Sequence, residues 1–251
     1  MLTSQRKQHL MAILRRDGQI VATRVSAELG VSEDTIRRDL REMAREGLLQ
    51  RVHGGALPAS TALADLAARQ HIATDAKAAI GRAAAAMVQP GEVVFVDGGT
   101  TCTQLVRALP RGLRATVVTH SPSIAMELMA HPDIDVILLG GRLFRHSAVA
   151  VGAATLEAIA QIRADRYFLG VTSVHPVEGL STGDYDEACV KRALCRAAAE
   201  TIVLASPEKL ATASPYRVVG WPEVSGMVVA GDTAEEVLRP YREMAVAVTL
   251  A

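Results

Sequence analysis

The feature that most constrains the fold is an alternation of short β-branched segments with helical segments, which starts near Lys77 and continues to the C-terminal end. Strands and helices that alternate at this pace predict an α/β layered domain with a mostly parallel sheet. The predicted strands are residues 93–96, 115–119, 136–139, 167–171, 201–205 and 227–229, and residues 246–250 could add a late strand.

The N-terminal part of the chain has a different pattern. Apolar residues at helical spacing predict a first helix over 4–15, and Thr23 is placed to cap a second helix that ends before Gly30. The hydroxyl of Ser32 is suited to cap a third helix, which runs to residue 45 or 46. Residues 48–55 predict a short strand that ends in a tight turn. This order of elements is that of a winged helix-turn-helix, whose second helix lies in the major groove of DNA.

Charge is distributed unevenly between these two parts. The chain has 27 Lys and Arg against 27 Asp and Glu, so its formal net charge is zero. Residues 1–57 hold ten Lys and Arg against seven Asp and Glu, a net charge of +3, which leaves −3 for the remainder. Such an asymmetry predicts different partners for the two parts.

Composition excludes several classes of protein. Aromatic residues make up only 3% of the chain, too few for a stacking platform that binds single-stranded nucleic acid. The three cysteines lack the spacing of a disulfide framework or a zinc ribbon. No apolar segment approaches the roughly 18 to 20 residues of a membrane span, and the first residues are polar and basic. We therefore expect a cytoplasmic protein that has no membrane partner.

Basic side chains cluster on the third predicted helix and on the strand after it. Ile36, Leu40 and Met43 form an inward apolar face, which leaves the polar side chains free to reach DNA. Arginine suits this task because its planar guanidinium donates two hydrogen bonds to guanine. The predicted DNA contacts are Ser32, Thr35, Arg37, Arg38, Arg41, Arg51 and His53.

The sequence leaves open a simpler alternative for the third helix. Its arginines could form ion pairs with acidic residues of the same helix and have no partner beyond solvent. The acidic residues available for this are Glu33, Asp34, Asp39 and Glu42.

Gly, Thr and Ser are frequent where the predicted strands of the C-terminal part end. Ligands of parallel sheets bind beyond the carboxyl ends of the strands. Residues 97–101, Asp-Gly-Gly-Thr-Thr, open a helix whose first N–H groups favour a phosphate, whereas Asp97 itself is better suited to a sugar hydroxyl. Nucleotide-binding fingerprints are missing. The segments after the other strands are 119–121, 140–141, 170–172 and 206–209.

Two pairs of residues in this part have structural interpretations as well. Gly140 and Gly141 fit a tight turn more easily than a ligand contact. Glu187 and Lys191 are four residues apart on a predicted helix, which fits a surface ion pair as well as an anion contact. The chain has only four lysines among its 27 basic residues, and Lys191 and Lys209 both follow candidate ligand loops.

Other candidates are equally open. His120 could donate to a phosphate or cap a loop. Arg142, together with Arg145 and His146, could contact a phosphate or lie in a solvated loop.

Two N-terminal motifs are specific. They are Thr35-Ile36-Arg37-Arg38-Asp39-Leu40 within residues 31–40, and His53-Gly54-Gly55-Ala56 after Gly47-Leu48. Together, at this spacing, they resemble the signature of DeoR/GlpR-type bacterial transcriptional regulators. The resemblance implies a small winged helix-turn-helix that binds operator DNA, followed by a larger α/β domain that senses a phosphorylated sugar or a related metabolite. That sensor fold is similar to ribose-5-phosphate isomerase and CoA-transferase domains.

The resemblance covers essentially the whole chain and implies where the effector binds. In the family an Asp/Gly-Thr-Thr loop, a Gly-Gly turn, and the Glu and Lys of a later helix surround the pocket. The chain departs from the family at 119–121, where Thr-His-Ser replaces Thr-Asn-Asn or Thr-Asn-Ser, and at 206–209, where Ser-Pro-Glu-Lys replaces Asp-x-Ser-Lys. The predicted effector-binding residues are Asp97, Gly99, Thr100, Thr101, Thr119, His120, Gly140, Gly141, Arg142, Gly170, Glu187, Lys191 and Lys209.

The function predicted from the sequence is that of a repressor of a sugar or polyol catabolic operon, controlled by a phosphorylated metabolite. We expect a DNA-binding domain over 1–57, a linker over 58–75 and a sensor over 76–251, without catalytic residues, metal or cofactor. The modest charge of the N-terminal part suggests a homo-oligomer, a dimer or tetramer. The alternative is a sugar-phosphate isomerase-like enzyme with an accessory DNA-binding domain, in which the acid, base and anion clamp are Asp97, Glu187 and Lys191.

Overall fold

The N-terminal part of the chain is a winged helix-turn-helix, as predicted. The computed structural model describes residues 2–60, 62 and 65–251. The N-terminal helices are α1 Thr3–Asp17, α2 Ala22–Leu29 and α3 Glu33–Arg45, and the strands are β1 Ile20–Val21, β2 Leu49–Val52 and β3 Gly55–Pro58. The strands form an antiparallel sheet in the order β1-β3-β2.

The core of this part is formed by apolar side chains at helical spacing. Leu10 and Ile13 of α1 are buried against Ile36, Leu40 and Met43 of α3. The predicted inward face of α3 is therefore confirmed, and its opposite face is exposed to solvent.

The prediction that Thr23 caps α2 is wrong. The helix starts one residue earlier, directly after β1, with Val21 at the cap position and no side-chain hydrogen bond there. The backbone N–H of Ala22 donates instead to the carbonyl oxygen of Gly54 in the wing turn, at 2.8 Å. Pairing of β1 with the wing thus satisfies a helix donor that otherwise requires a capping side chain.

Seven parallel strands form the central sheet of the C-terminal part. They are β4 Val93–Val96, β5 Thr116–Thr119, β6 Asp135–Leu138, β9 Ala164–Gly170, β12 Ala198–Ala205, β14 Gly226–Val229 and β15 Ala247–Leu250. Their order in the sheet is β15-β14-β12-β9-β4-β5-β6. All seven predicted strand segments lie in this sheet, and the prediction of an α/β domain is confirmed.

Helices cover both faces of the sheet. The helices that do so are α5 Thr74–Ala85, α6 Thr100–Arg107, α7 Pro122–Leu128, α8 Ala153–Ala160, α9 Tyr185–Ala197 and α10 Glu235–Glu243. A short helix, α4 Leu66–Arg69, precedes them and buries none of its residues. Side chains alternate between the two faces of each strand. Val94 and Phe168 pack with α5, α6 and α7, whereas Phe95 and Tyr167 pack with α8, α9 and α10. Among the residues described, none of the helices combines the length and apolar character that a membrane crossing requires.

Short strands outside the central sheet were not predicted. Three residues are too few to show the alternation that identifies a strand from sequence. The solvated-loop alternative given for Arg142, Arg145 and His146 is wrong at Arg142, which lies in a hairpin strand. These strands are β7 Arg142–Phe144 with β8 Val149–Val151, and β10 Ser173–His175, β11 Gly179–Thr182 and β13 Tyr216–Arg217 in a second small sheet.

The segment between the two parts packs against the C-terminal part. Ser60 Oγ donates to the carbonyl oxygen of Thr172 at 2.7 Å, and the Leu66 N–H donates to the carbonyl oxygen of His146 at 3.0 Å. The predicted linker over 58–75 therefore contains a short helix and is bound to the C-terminal part of the chain. Residues 61, 63 and 64 of that linker, and residue 1 of the first predicted domain, lie outside the described residues.

Candidate functional site

The N-terminus of α3 is held by a side-chain cap. Ser32 Oγ accepts the backbone N–H of Thr35 at 3.3 Å and lies 2.9 Å from the Thr35 hydroxyl. Such a cap satisfies one of the free N–H groups in the first helical turn, and Glu33 and Asp34 complement the helix dipole there. The start of the predicted recognition helix is therefore well defined, and the predicted cap at Ser32 is confirmed.

The arginines of α3 differ in their partners. Arg37 donates to Glu33, one turn earlier in the helix, at 2.6 Å. Arg38 and Arg41 are exposed and form no ion pair with any described residue. Their guanidinium groups are available for phosphates or base edges.

Acidic residues further along α3 bind α1 rather than the arginines of their own helix. Asp39 is buried and accepts hydrogen bonds from the Arg6 guanidinium, and Lys7 Nζ lies 3.1 Å from Glu42. These contacts fix α3 against α1. The alternative in which every arginine of α3 is paired along the helix is therefore wrong.

The wing presents two further predicted DNA contacts to solvent. Arg51 lies in β2 and His53 in the turn that joins β2 to β3, and both are exposed. Gly55 is required here, because a Cβ at this position would lie 1.7 Å from the carbonyl oxygen of Ile20 in β1. The structure thus places the predicted DNA-contact side chains on the surface of α3 and the wing, with Thr35 half-buried.

In the C-terminal part, Asp97 lies at the carboxyl end of β4 and is completely buried. Its Oδ2 accepts hydrogen bonds from Lys191 Nζ at 2.6 Å, Tyr167 OH at 2.9 Å and the Gly170 N–H at 3.0 Å. Its Oδ1 lies 2.8 Å from His120 Nε2 and also accepts the N–H of the following residue. Five donors occupy this carboxylate, which leaves no free oxygen for the sugar hydroxyl that the sequence suggested.

Charge stabilises this buried cluster. Burial alone would raise the pKa of Asp97, but Lys191 and His120 outweigh it and hold the pKa well below its usual range. Burial opposes the charge of Lys191, yet Asp97 and Glu187 raise its pKa above the ordinary value. Burial, with Asp97 nearby, raises the pKa of Tyr167, so that its hydroxyl keeps its proton. The Asp97–Lys191 pair is therefore ionised.

His120 links Asp97 to the backbone of Ala150. It is fully buried, with Nε2 facing Asp97 and Nδ1 lying 2.8 Å from the carbonyl oxygen of Ala150. Thr119 is buried as well, and its Oγ1 accepts the backbone N–H of Ser121 at 3.1 Å. Neither ring nitrogen of His120 is free for a phosphate, so the geometry favours the loop-capping alternative.

A polar cleft lies beyond the carboxyl ends of β4, β9 and β12. Its atom-free space is about 430 Å³ when the open solvent at its mouth is included. Its position is where ligands bind in open parallel sheets. The lining residues are Arg69, Lys77, Gly98, Gly99, Thr100, Thr101, Cys102, Ser147, Gly170, Val171, Thr172, Glu187, Lys191, Glu208 and Lys209.

One end of the cleft suits an oxyanion. Helix α6 begins there after Gly99, whose φ of 109° favours glycine. The N–H groups in the first turn of α6 have no acceptor within the helix and can therefore bind an anion. Lys209 is buried beside it, with Nζ 3.5 Å from Thr101 Oγ1 and 3.4 Å from the Leu204 carbonyl oxygen. Burial lowers the pKa of Lys209 to about 8. Its long hydrogen bonds leave this ammonium without a close anion among the described residues.

Two further basic residues approach from α4 and α5. Lys77 Nζ donates to the Arg69 carbonyl oxygen at 2.9 Å and lies 3.6 Å from Glu208 Oε1. The Arg69 guanidinium lies 3.4 Å from Ser147 Oγ. Burial lowers the pKa of both Lys77 and Arg69, because each charge is partly removed from water.

The charge balance of the cleft is positive. Three of the four lysines of the chain line it, although lysine is rare in this sequence. Four basic residues face two acidic ones there: Arg69, Lys77, Lys191 and Lys209 against Glu187 and Glu208.

Glu187 and Lys191 belong to the wall of this cleft. Their side chains are 3.2 Å apart, and both residues are buried. Glu187 Oε2 accepts the hydroxyl of Thr182 at 3.1 Å and lies 3.5 Å from Ser147 Oγ. The alternative of an exposed surface pair is therefore wrong.

Six predicted effector-binding residues do not line the cleft. Asp97, Thr119 and His120 are buried next to it, and Gly140, Gly141 and Arg142 lie outside it. The Gly140 carbonyl oxygen accepts the Thr155 hydroxyl at 2.8 Å, and a Cβ at Gly141 would lie 2.1 Å from that hydroxyl oxygen. This geometry favours the tight-turn alternative for the glycine pair. Arg142 is exposed and pairs with Asp186.

Eight residues that line the cleft are absent from the predicted effector-binding residues. Lys77 has a signal in the sequence, since lysine is rare in the chain. Arg69 and Ser147 lie in segments without periodicity, and Glu208 lies where the chain departs from the family pattern. The eight residues are Arg69, Lys77, Gly98, Cys102, Ser147, Val171, Thr172 and Glu208.

Comparison with protein families covers both parts of the chain. Residues 6–62 match the DeoR-like helix-turn-helix domain, and residues 72–230 match the DeoR C terminal sensor domain.

Individual relatives agree with this result. The HTH-type transcriptional regulator GlpR of Haloferax volcanii is 33% identical over 244 residues, which cover 94% of this chain and 95% of that protein. The glycerol-3-phosphate regulon repressor of Escherichia coli is 33% identical over 195 residues, 77% of each chain. Among solved structures, ribose 5-phosphate isomerase A of Methanocaldococcus jannaschii is 19% identical over 54% of each chain, with a TM-score of 0.40. That likeness adds nothing to what the fold of this chain already shows.

Proposed function

The chain belongs to the DeoR family of transcriptional regulators, and we propose that it is a repressor whose affinity for operator DNA is controlled by a phosphorylated sugar or polyol. The observation that carries the effector part of this proposal is the cleft in which three of the four lysines meet the N-terminus of α6. We assign residues 1–57 to DNA binding, 58–75 to the linker and 76–251 to effector sensing.

DNA binding rests on the surface of α3 and the wing. Arg38 and Arg41 are free of ion pairs with described residues, while α3 is fixed by its contacts to α1. A rigid helix with unpaired guanidinium groups suits recognition of the major groove. Arg51 and His53 of the wing supply contacts to the DNA backbone.

Effector binding rests on charge and on free donors. The Lys209 ammonium and the first N–H groups of α6, with Thr100 and Thr101, form an oxyanion site that suits a phosphate. A phosphate there gives Lys209 the close anion that the described residues do not provide. The Escherichia coli relative is a repressor of a regulon named for glycerol 3-phosphate, which supports a phosphorylated polyol as effector.

Coupling between the two parts runs through the linker. Arg69 of α4 lines the cleft, and Ser60 binds the backbone of Thr172 and Glu208, which also line it. Strand β3 of the wing ends only two residues before Ser60. A ligand in the cleft therefore acts on groups that hold the start of the linker. Repression is relieved if the effector binds the DNA-incompetent arrangement more tightly.

We further propose that the protein acts as a homo-oligomer in the cytoplasm. A net charge of +3 on the N-terminal residues is modest for tight binding by a single unit. Two helix-turn-helix units on a two-fold axis reach two half-sites of one operator.

The isomerase alternative is disfavoured by the surroundings of Asp97. A catalytic acid or base needs access to the proton that it transfers. Asp97 is fully buried, and five donors already occupy its oxygens. We therefore propose that the residues of the cleft bind an effector. We assign no catalytic residue, metal or cofactor.

The experiment that tests this function is a titration of the protein–DNA complex. A bound duplex is first selected from a random pool by the full-length protein, and its affinity is measured by fluorescence anisotropy at several salt concentrations. Phosphorylated sugars and polyols are then titrated in, together with their unphosphorylated counterparts, and turnover of each sugar phosphate is followed in parallel.

The expected result is a sequence-specific complex that one or a few phosphorylated compounds dissociate, without turnover. Unphosphorylated counterparts should have no effect at the same concentration. Failure to select any duplex, or isomerisation of a sugar phosphate at an enzymatic rate, would refute the proposal.

A further inference from the structure

One carboxylate oxygen in the cleft has no hydrogen-bond donor. Glu208 Oε2 is buried, and no described residue donates to it. The residue lines the cleft beside Lys209. Buried carboxylate oxygens are normally satisfied, and an unsatisfied one is costly until a donor approaches.

The rest of the Glu208 carboxylate is fixed in place. Its Oε1 accepts the Ser206 hydroxyl at 2.7 Å and lies 3.6 Å from Lys77 Nζ. The backbone carbonyl oxygen of Glu208 accepts a long hydrogen bond from Ser60 at 3.4 Å. Because these contacts hold one oxygen and the backbone, the second oxygen is a preorganised acceptor on a residue of the cleft wall.

The surrounding charges decide which donor suits this oxygen. Lys77, Lys209 and Arg69 lie near Glu208 and each gains favourable charge interaction from it. These cations would repel an ammonium group on a ligand. A phosphate would be repelled by the carboxylate itself. A neutral hydroxyl donor has neither disadvantage.

We propose that Glu208 is a specificity-determining residue, whose Oε2 accepts a hydrogen bond from a hydroxyl group of the phosphorylated effector. The inference rests on the proposed function, because it places the phosphate of the same ligand at Lys209 and the N-terminus of α6. Glu208 then distinguishes polyol and sugar phosphates from phosphate esters that carry no hydroxyl.

The test compares matched ligands on matched variants of the full-length protein. Glycerol 3-phosphate is paired with propyl phosphate, and sorbitol 6-phosphate with hexyl phosphate, and inorganic phosphate serves as the anion alone. Binding is measured by calorimetry for the wild type, Glu208→Ala and Glu208→Gln. Glu157→Gln, an exposed glutamate of α8 outside the cleft, is the control variant.

Glu208→Ala should weaken binding of a polyol phosphate about tenfold or more, the usual effect of losing a hydrogen bond to a charged group. The same variant should bind inorganic phosphate and the alkyl phosphates at least as well as the wild type, since a negative charge has left the cleft. Glu208→Gln keeps one acceptor oxygen and the side-chain volume, so its loss should be smaller. Glu157→Gln should match the wild type for every ligand.

Equal changes for polyol and alkyl phosphates would overturn the assignment, because Glu208 would then act through charge alone. If polyol phosphates dissociate DNA but show no such discrimination, the proposed function stands and this inference fails. If no phosphate ester binds the wild type, the proposed function fails and this inference fails with it. Should Glu208→Ala not fold, the same comparison on Glu208→Gln decides.

Discussion

Lys191 Nζ lies 2.6 Å from Asp97 Oδ2, and both side chains are buried at the base of the cleft. This contact joins α9 to the carboxyl end of β4, 94 residues apart in the chain. Lys191 also donates to the Gly170 carbonyl oxygen at 2.9 Å. The pair therefore fixes the positions of three segments that form the cleft.

Removal of the Asp97 charge should destabilise the sensor. Asp97→Asn removes the closer of the two carboxylates that face the buried Lys191 ammonium and leaves only Glu187, at 3.2 Å. Breaking one partner of a buried pair costs about 3 to 5 kcal/mol. We expect a clear decrease in the midpoint of thermal or urea unfolding. Asp133→Asn, at an exposed position without ion pairs among the described residues, is the control. Equal midpoints for the two variants would contradict the structural role of Asp97.

Phosphate binding should depend on the charge of Lys209. With a pKa of about 8, this residue is protonated below pH 8 and neutral above it, so affinity for an anion should fall as pH rises from 7 to 9. A phosphate monoester stays a dianion over this range, because its second pKa is about 6. Calorimetry with propyl phosphate should show a loss of about fivefold to tenfold in the wild type.

Two substitutions isolate this effect. Lys209→Met should bind propyl phosphate weakly at every pH, and Lys209→Arg should remove the dependence because it keeps its charge. An unchanged pH profile in Lys209→Met would assign the effect to another group.

Arg38 should contribute to operator recognition. Arg38→Ala removes an exposed guanidinium of α3 that has no ion pair among the described residues, and we expect a loss of about 1 to 3 kcal/mol in specific DNA binding. Anisotropy with the selected duplex and with a scrambled one measures this. Arg239→Ala on α10 is the matched control far from the wing in sequence. Undiminished operator affinity in Arg38→Ala would remove this residue from the interface.

Arg69 should be needed for the response to effector. Its guanidinium lies in the cleft although the residue belongs to the linker helix α4. Arg69→Ala should raise the effector concentration for half-dissociation of DNA about tenfold, the typical contribution of one charged hydrogen bond. Arg82→Ala, an exposed residue of α5 that does not line the cleft, serves for comparison. A response curve identical to that of the wild type would show that the linker does not contact the effector.

Several features of the fold could be predicted from the sequence because they depend on local order. Six of the seven parallel strands contain β-branched residues, and β9 contains Tyr167 and Phe168, which also favour strands. Helix α3 begins directly after Ser32 because a serine hydroxyl caps a helix well. The motif over residues 35–40 indicated the family, and comparison with known families confirmed it. Short strands such as β7 were missed because three residues show no period.

The candidate site was predicted only in part. Gly99, Thr100, Thr101 and Lys209 lie together in the cleft, whereas Gly141 and Arg142 lie outside it. Sequence distinguishes poorly between a glycine needed for a turn and one needed near a ligand, because the side chain is the same in both cases. The family resemblance indicated residues of the sensor. It did not distinguish residues that line the cleft from buried residues that hold the lining residues in place.

The sequence alone determined the division into a basic helix-turn-helix and an α/β sensor, since periodicity, capping residues and charge are local properties of the chain. Only the tertiary structure decided the role of each polar residue in the sensor. Asp97 and His120 hold the cleft in place, because their polar atoms already have hydrogen-bond partners. Lys209 and Glu208 can still bind a ligand, because Lys209 has only long hydrogen bonds and Glu208 Oε2 has none. Hydrogen-bond satisfaction depends on partners brought together from distant segments, and a sequence read in one dimension does not show them.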